Sequence, residues 1–166
     1  MKPSMFLKVQ DIDGESEDSD HEEWIDILSW SWGMSQAANT HMGGGGGQAQ
    51  SSTQDLSVVK FCDRSTPALM HTCLTGNHIG KAELQCTKAT GDDKGGALAY
   101  IVLIMEDIVV SSVNTGGSGG EAQMTESCSL NFAKCEYMYT VQGEDGSEGE
   151  QPTLEWDIKK GEGNIS

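Results

Sequence analysis

The sequence predicts a mainly β protein, either a β-barrel or a two-sheet sandwich, with one short α-helix docked on the sheet. Most apolar residues recur with period two, which is the repeat of a strand that buries one face. Residues 65–76 instead carry apolar residues at helical spacing. A chain with about eight strands must close its sheet or cover its edges to avoid aggregation, and a β-barrel or a two-sheet sandwich does this. Because 166 residues suit one domain, residues 1–166 are expected to form a single domain.

The strand-like runs are justified by their alternation. From residue 24 to residue 32, Leu28, Trp30 and Trp32 share one face, while Ser29 and Ser31 lie on the other. We favour a core or interface role for these tryptophans over a role as a stacking platform for sugars or bases. The expected strands, in chain order, are 5–10, 24–32, 56–61, 82–88, 97–105, 108–113, 127–141 and 153–159.

Two of these runs have special features. Residues 97–105 are apolar on both faces, which is typical of a central strand or of one covered by a partner. A bulge or bend is expected at residues 106–107, where two acidic residues interrupt the apolar run before 108–113.

One short helix is expected within residues 65–76. Thr66 is a good N-cap residue, Pro67 suits the first helical position, and Gly76 suits a left-handed residue just past the end. Four apolar residues then share one face, which we expect to dock on the sheet: Leu69, Met70, Cys73 and Leu74.

The charge excludes several partners. The chain has 26 acidic and 10 basic residues and a formal charge of −16, which argues against nucleic acid and anionic membrane surfaces. No apolar run approaches the ~20 residues that span a bilayer, so no membrane insertion is expected. We also expect no signal peptide, since no long apolar core precedes the first acidic residues. The five cysteines lack zinc-site spacing and are expected to be reduced thiols.

Several motifs resemble catalytic or binding sites but lack essential parts. Residues 115–121 contain G-x-S-x-G around Ser118, yet all four histidines precede it, so the order of a hydrolase triad cannot be built. Residues 76–82 lack the spacing of a phosphate loop. The acidic run 11–23 places Gly14 fourth, not sixth as a calcium loop requires, so a solvated turn is favoured over weak cation binding. We expect no enzyme activity, no catalytic residue, no cofactor and no metal.

A long glycine-rich stretch interrupts the pattern. Residues 40–50 read THMGGGGGQAQ, within about twenty residues that lack apolar periodicity. Ordering glycine is costly and glycine has no side chain to pack. The stretch is therefore either disordered or held by a second molecule.

These residues together resemble a known family. The runs 5–36, 41–47 (HMGGGGG), 54–73 and 109–121 (VVSSVNTGGSGGE) strongly resemble the haemolysin-coregulated proteins, Hcp, which are tube subunits of the bacterial type VI secretion system. The resemblance covers residues 5–158. It implies a two-sheet barrel with a flanking helix, a homohexameric ring, and head-to-tail stacking of rings into a hollow tube.

The resemblance also implies partners and a route. A contractile sheath would drive the tube, tipped by a spike protein, out of the cell, with small effector proteins held and stabilised in the lumen. The protein would be made in the bacterial cytoplasm and exported by this machine. The alternative class is a monomeric secreted acidic β-domain that binds metal or glycan.

The resemblance assigns candidate residues. Ser31, with Ser29 beside it, is expected to face the lumen and its cargo, so that a bulky residue at 31 would block cargo without unfolding the barrel. Residues 39–53 and 114–121 are expected to form subunit contacts. Within these loops the candidate interface residues are His41, Met42, Gly43, Gly44, Gly45, Gly46, Gly47, Gly116, Gly117, Ser118, Gly119 and Gly120.

Overall fold

A computed structural model of the chain describes residues 4–37, 50–90 and 96–166. Within these ranges the molecule is mainly β, with a helix α1 at Thr66–Thr75. The strands are β1 Met5–Val9, β2 Ile25–Asp26, β3 Ser29–Ser31, β4 Met34–Gln36, β5 Ser51–Thr53, β6 Leu56–Phe61, β7 Ile79–Ala89, β8 Ala97–Thr115, β9 Thr125–Tyr139, β10 Thr153–Asp157 and β11 Glu162–Ile165. The predicted fold class, mainly β with a short flanking helix, is confirmed.

The strands form one large antiparallel sheet that branches at β9. The order runs β11-β10-β9-β8-β7-β1-β2, and β6 pairs with the first part of β9 while carrying β3 on its other side. The last part of β9 pairs with β10. In addition, β4 and β5 form a separate two-stranded ribbon. Strand β9 therefore has three partners along its length.

Residues 25–31 change partner halfway. The β2 residues pair with β1, and the Ile27 amide still donates to the Met5 carbonyl at 2.9 Å. One residue later the Leu28 amide donates to the Val59 carbonyl of β6 at 2.8 Å. Because β2 and β3 are so short, the ladders of the described residues form a branched sheet and not a ring of continuous ladders. The segment nevertheless leads from one edge, β1, to the other, β6.

The run 24–32 is thus two short strands where one was predicted. Leu28 lies at the junction and is 41% exposed, so the expected apolar face of Leu28, Trp30 and Trp32 is not uniformly buried. Trp30 and Trp32 pack against the core. The Trp32 indole Nε1 donates to the Gln54 carbonyl at 2.9 Å, which satisfies its polar atom.

The core lies between the inner faces of the sheet and helix α1. It is built from the alternating residues that the period-two pattern predicts, chiefly leucine, isoleucine and valine of β1, β6, β7, β8 and β9. The two apolar runs predicted at 97–105 and 108–113 are one strand, β8. The expected irregularity between them is present, since Asp107 adopts a positive φ of 54° and is skipped in the β8–β9 ladder.

Helix α1 ends as predicted but begins one residue early. Gly76 has a left-handed φ of 69°, and its amide donates to the Thr72 carbonyl at 3.0 Å. The N-cap residue is Ser65, not Thr66, and it makes no side-chain capping bond. The predicted docking face was also wrong in part, because Leu69 is fully buried whereas Leu74 is 87% exposed.

The acidic run 11–23 folds back on the sheet around His21. The His21 ring is buried and stacks on Phe6, with ring centroids 4.1 Å apart. Its Nδ1 lies 2.8 Å from an Asp18 carboxylate oxygen and its Nε2 lies 2.8 Å from the Gln85 amide oxygen. Gly14 allows this return, since a Cβ there would collide with the Trp24 carbonyl. No motif in the sequence indicated that this histidine organises the loop.

Candidate functional site

Small polar side chains cover most of the solvent face of the sheet formed by β3, β6, β9 and the end of β8, where the half-buried Val59 between Ser29 and Ser127 is an apolar exception. In register, Ser31 pairs with Ser57, Ser57 with Ser129, and Ser129 with Ser112. Ser31 and Ser57 are exposed, and the next residues along each strand turn to the core. We call the following residues the serine face: Ser29, Ser31, Asp55, Ser57, Ser111, Ser112, Ser127, Ser129 and Asn131.

A β-bulge places two successive serines on this face. The β8–β9 register shifts between Val110 and Ser112, so one extra residue enters β8. Both hydroxyls then meet the same partner, since Ser111 Oγ lies 2.7 Å and Ser112 Oγ 2.5 Å from Ser129 Oγ. Without the bulge, successive residues of a strand would point to opposite faces.

Asp55 is the acidic member of the serine face. It precedes β6 and is half-buried. Its Oδ2 accepts a hydrogen bond from Ser111 Oγ at 2.6 Å, and its Oδ1 accepts one from Asn131 Nδ2 at 2.9 Å. The carboxylate therefore links β6, β8 and β9 at the edge of the face.

The structure brings Ser29 and Ser31 together with residues that the sequence analysis missed. Both predicted residues lie on β3 and are exposed. Ser57 and Ser129 join them through strand pairing, and Asp55 joins through its hydrogen bonds to Ser111 and Asn131. The alternation in SSVNT and SCSLNF was a usable signal, but it did not reveal which strands are neighbours.

A buried ion pair lies beneath this part of the sheet. Lys60 is 0% exposed and its Nζ lies 2.5 Å from Glu126 Oε1 and 3.0 Å from Asp63 Oδ1. Glu126 Oε1 also accepts a hydrogen bond from the Thr66 hydroxyl at 2.6 Å. These contacts join the start of helix α1 to β6 and β9. They therefore stabilise the sheet from the side opposite the serine face.

The structure describes the second predicted interface loop, residues 114–121, in full, but only residues 50–53 of the first. Five candidates of the second loop follow β8 and are all exposed: Gly116, Gly117, Ser118, Gly119 and Gly120. The last of these has a positive φ of 94°, which favours glycine. His41, Met42 and the glycines 43–47 lie outside the described residues. In the sequence they lie between β4 and β5, whose residues Gln36 and Ser51 pair directly.

The described ranges contain neither a metal-ligand cluster nor a membrane-spanning helix. No group of three or more His, Cys, Asp or Glu side chains there is arranged to hold a metal ion. Nor does the described part of the chain contain a helix long and apolar enough to cross a membrane. All five cysteines, which lie within the described ranges, are unpaired.

Comparison with solved structures defines the class of protein. A structure described as a type six secretion system protein matches with a TM-score of 0.86 at 23% identity, covering 96% of this chain and 98% of that one. Hcp1 from Salmonella typhimurium matches with a TM-score of 0.79 at 31% identity, covering 99% of this chain and 100% of that one. The fold is therefore that of solved type VI secretion proteins.

Sequence comparison gives the family. The profile described as "Type VI secretion system effector, Hcp" matches residues 6–139. Protein hcp1 of Pseudomonas aeruginosa is 45% identical over 161 residues, which are 96% of this chain and 98% of that protein. The chain belongs to the Hcp family of the type VI secretion system, and the resemblance noted from the sequence is confirmed.

Proposed function

We propose that the chain is a structural subunit of the type VI secretion tube. Six copies form a ring, rings stack head to tail, and the serine face lines a lumen that carries and stabilises small effector proteins. The sheath surrounds the tube, the spike protein caps it, and the machine exports the protein from the cell. The role is structural and not enzymatic.

The observation that carries this proposal is the row of serines in register across four strands. A wall that passes different cargo needs short side chains that neither block the opening nor hold the cargo by apolar contact. Although the chain carries 26 acidic residues, Asp55 is the acidic member of this face. A nearly neutral face on a strongly acidic protein suits a transport lumen better than an exterior surface.

The loops fit a ring contact. Residues 116–120 are exposed and rich in glycine, which permits close approach of a neighbouring backbone. Exposed Met124 lies against Gly117 and adds an apolar contact beside that loop. We assign residues 39–53 and 114–121 to contacts between subunits.

Negative-stain electron microscopy with native mass spectrometry tests the proposal. Six-fold rings with an open centre are expected. A monomer over a wide range of salt and protein concentration would contradict it, and calcium titration would then test the monomeric binding domain.

Substitution at Ser31 tests the lumen assignment. Ser31→Trp should form rings and unfold at the same denaturant concentration as the wild type, yet retain less effector in co-purification from effector-producing cells. Leu74→Trp adds bulk at an exposed site on helix α1 and serves as the control. Unchanged retention by Ser31→Trp would remove Ser31 from the lumen.

A further inference from the structure

The hydroxyl protons of the serine face are ordered by Asp55. Ser111 Oγ donates to Asp55 Oδ2 at 2.6 Å, and a serine hydroxyl has a single proton to donate. Ser111 must therefore accept in its 2.7 Å contact with Ser129, so Ser129 is the donor there. With its own proton committed, Ser129 accepts from Ser112 at 2.5 Å. The hydrogen bonds are therefore donated in one direction, from Ser112 to Ser129, from Ser129 to Ser111, and from Ser111 to the carboxylate.

This ordering leaves acceptors and not donors on the outside of the cluster. All three hydroxyl protons are donated within the cluster, and each serine oxygen keeps at least one lone pair that accepts no bond from the other members. Asp55 has two accepted bonds, from Ser111 and from Asn131, although an ionised carboxylate has about four acceptor positions. The cluster thus combines unused acceptor capacity with a negative charge.

We propose that Asp55, Ser111, Ser112 and Ser129 form an acceptor patch that selects cargo surfaces bearing lysine or arginine side chains. Ammonium and guanidinium groups donate without accepting, and hydrogen bonds between charged partners are stronger than neutral ones. The neutral wall beside the patch continues through Ser57. The assignment to cargo rests on the proposed function, whereas the patch itself is complete within one copy of the chain.

The alternative role for Asp55 is to hold the β8 bulge in place. A purely structural carboxylate would affect unfolding but would not distinguish a cationic ligand from a neutral one. The test therefore measures ligand selectivity and stability separately.

Asp55→Asn is the main variant. It keeps the shape of the side chain, and the new amide can be turned so that its oxygen accepts from Asn131 and its nitrogen donates to Ser111, so we expect it to fold. Glu155→Gln is the matched control because it removes one carboxylate from an exposed position on β10, outside the serine face. The probe is a short fluorescent peptide of alternating lysine and serine, compared with the same peptide carrying glutamine for lysine.

Fluorescence anisotropy at physiological salt gives the result. Asp55→Asn should weaken binding of the lysine peptide about tenfold, the loss of one charge-assisted contact, while Glu155→Gln changes it less than about twofold. The glutamine peptide should bind both variants and the wild type equally weakly. Equal losses in the two variants would overturn the patch.

A second measurement uses only wild-type protein, and it tests the proposal even if Asp55→Asn does not fold. In wild-type protein labelled with ¹⁵N-asparagine, the Asn131 side-chain amide should shift on addition of the lysine peptide but not of the glutamine peptide. An unmoved signal would overturn the proposal. Native mass spectrometry of the same samples keeps the two proposals apart, since rings with no Asp55 effect refute only the patch, and monomers with an Asp55 effect refute only the tube.

Discussion

Lys60 is a fully buried cation whose charge is balanced by Glu126 and Asp63. Lys60→Met would leave both carboxylates near an apolar side chain, and removing one partner of a buried ion pair typically costs about 3–5 kcal/mol. We expect urea unfolding to show a loss of that size.

Two further variants define this effect. Lys81→Met removes an exposed lysine from β7 and should change the unfolding free energy by less than about 0.5 kcal/mol. Lys60→Met with Glu126→Leu should recover part of the loss, because apolar replacement of a whole buried pair is often tolerated. A loss at Lys60 no greater than at Lys81 would show that the pair contributes nothing.

The cysteines divide by burial. Burial raises the pKa of the Cys128 thiol to about 11 and that of Cys135 to about 11, so both stay protonated at neutral pH. Cys62 is exposed. In a disulfide-exchange assay at about pH 8, near the ordinary thiol pKa, Cys62 should react in the native protein while Cys128 and Cys135 react only after unfolding. Because Cys73 is half-buried, the test variant combines Cys62→Ser with Cys73→Ser, and fast reaction persisting in it would contradict this assignment.

The raised thiol pKa values also predict how the free energy of unfolding changes with pH. A folded-state pKa above the unfolded value of 9.0 means that the folded protein holds these protons more tightly. The stabilisation is full below about pH 9 and is lost as pH rises towards 11. Unfolding midpoints measured across this interval should fall less steeply in Cys128→Ala than in the wild type, and parallel curves would count against the shift.

Helix α1 contacts the sheet through one side of its first two turns. Leu69→Ala should destabilise the protein by about 2–5 kcal/mol, because Leu69 is fully buried in the core. Leu74→Ala on the same helix should cost less than about 0.5 kcal/mol, since Leu74 is 87% exposed. Thermal unfolding of both variants measures the difference, and equal effects would mean that Leu74 is covered in solution.

Local patterns predicted the elements whose structure depends on neighbouring residues. The bounds of β6, the start of β1 and the end of helix α1 follow from alternation and from Gly76, whereas β1 ends at Val9, one residue before its predicted end. Strand β11 was missed because Glu162–Ile165 has no alternation and forms only by pairing with β10. The break after Ile27 was missed because it depends on two partners that are distant in sequence.

The candidate site was predicted in the same partial way. Resemblance and alternation identified Ser31 and the side of the strand on which it lies. The row to Ser57, Ser129 and Ser112 requires knowing that β3, β6, β9 and β8 are neighbours. Period two fixes the face of a residue within its strand, whereas long-range pairing fixes what lies beside it.

At the scale of the whole molecule, charge would oppose stacking of the rings in the proposed tube. Each chain carries a formal charge of −16, and like-charged rings repel over a distance that salt reduces to ~10 Å at 0.1 M. We expect ring stacking to be weak in dilute buffer and to strengthen with added salt, as measured by light scattering or sedimentation. Association that stays constant through a salt titration would refute this expectation.

Strand β9 joins the two branches of the sheet, since its first half pairs with β6, its last part with β10 and nearly all of it with β8. Each β9 amide bonds to β8 on one edge or to β6 or β10 on the other, and because β9 lies in the interior of the sheet we expect separation of any of these pairs to coincide with unfolding of most of the molecule. Slow exchange in β9 therefore reports the free energy of global unfolding. Compared between isolated subunits and assembled protein, the same amides give the energy that assembly adds to each subunit.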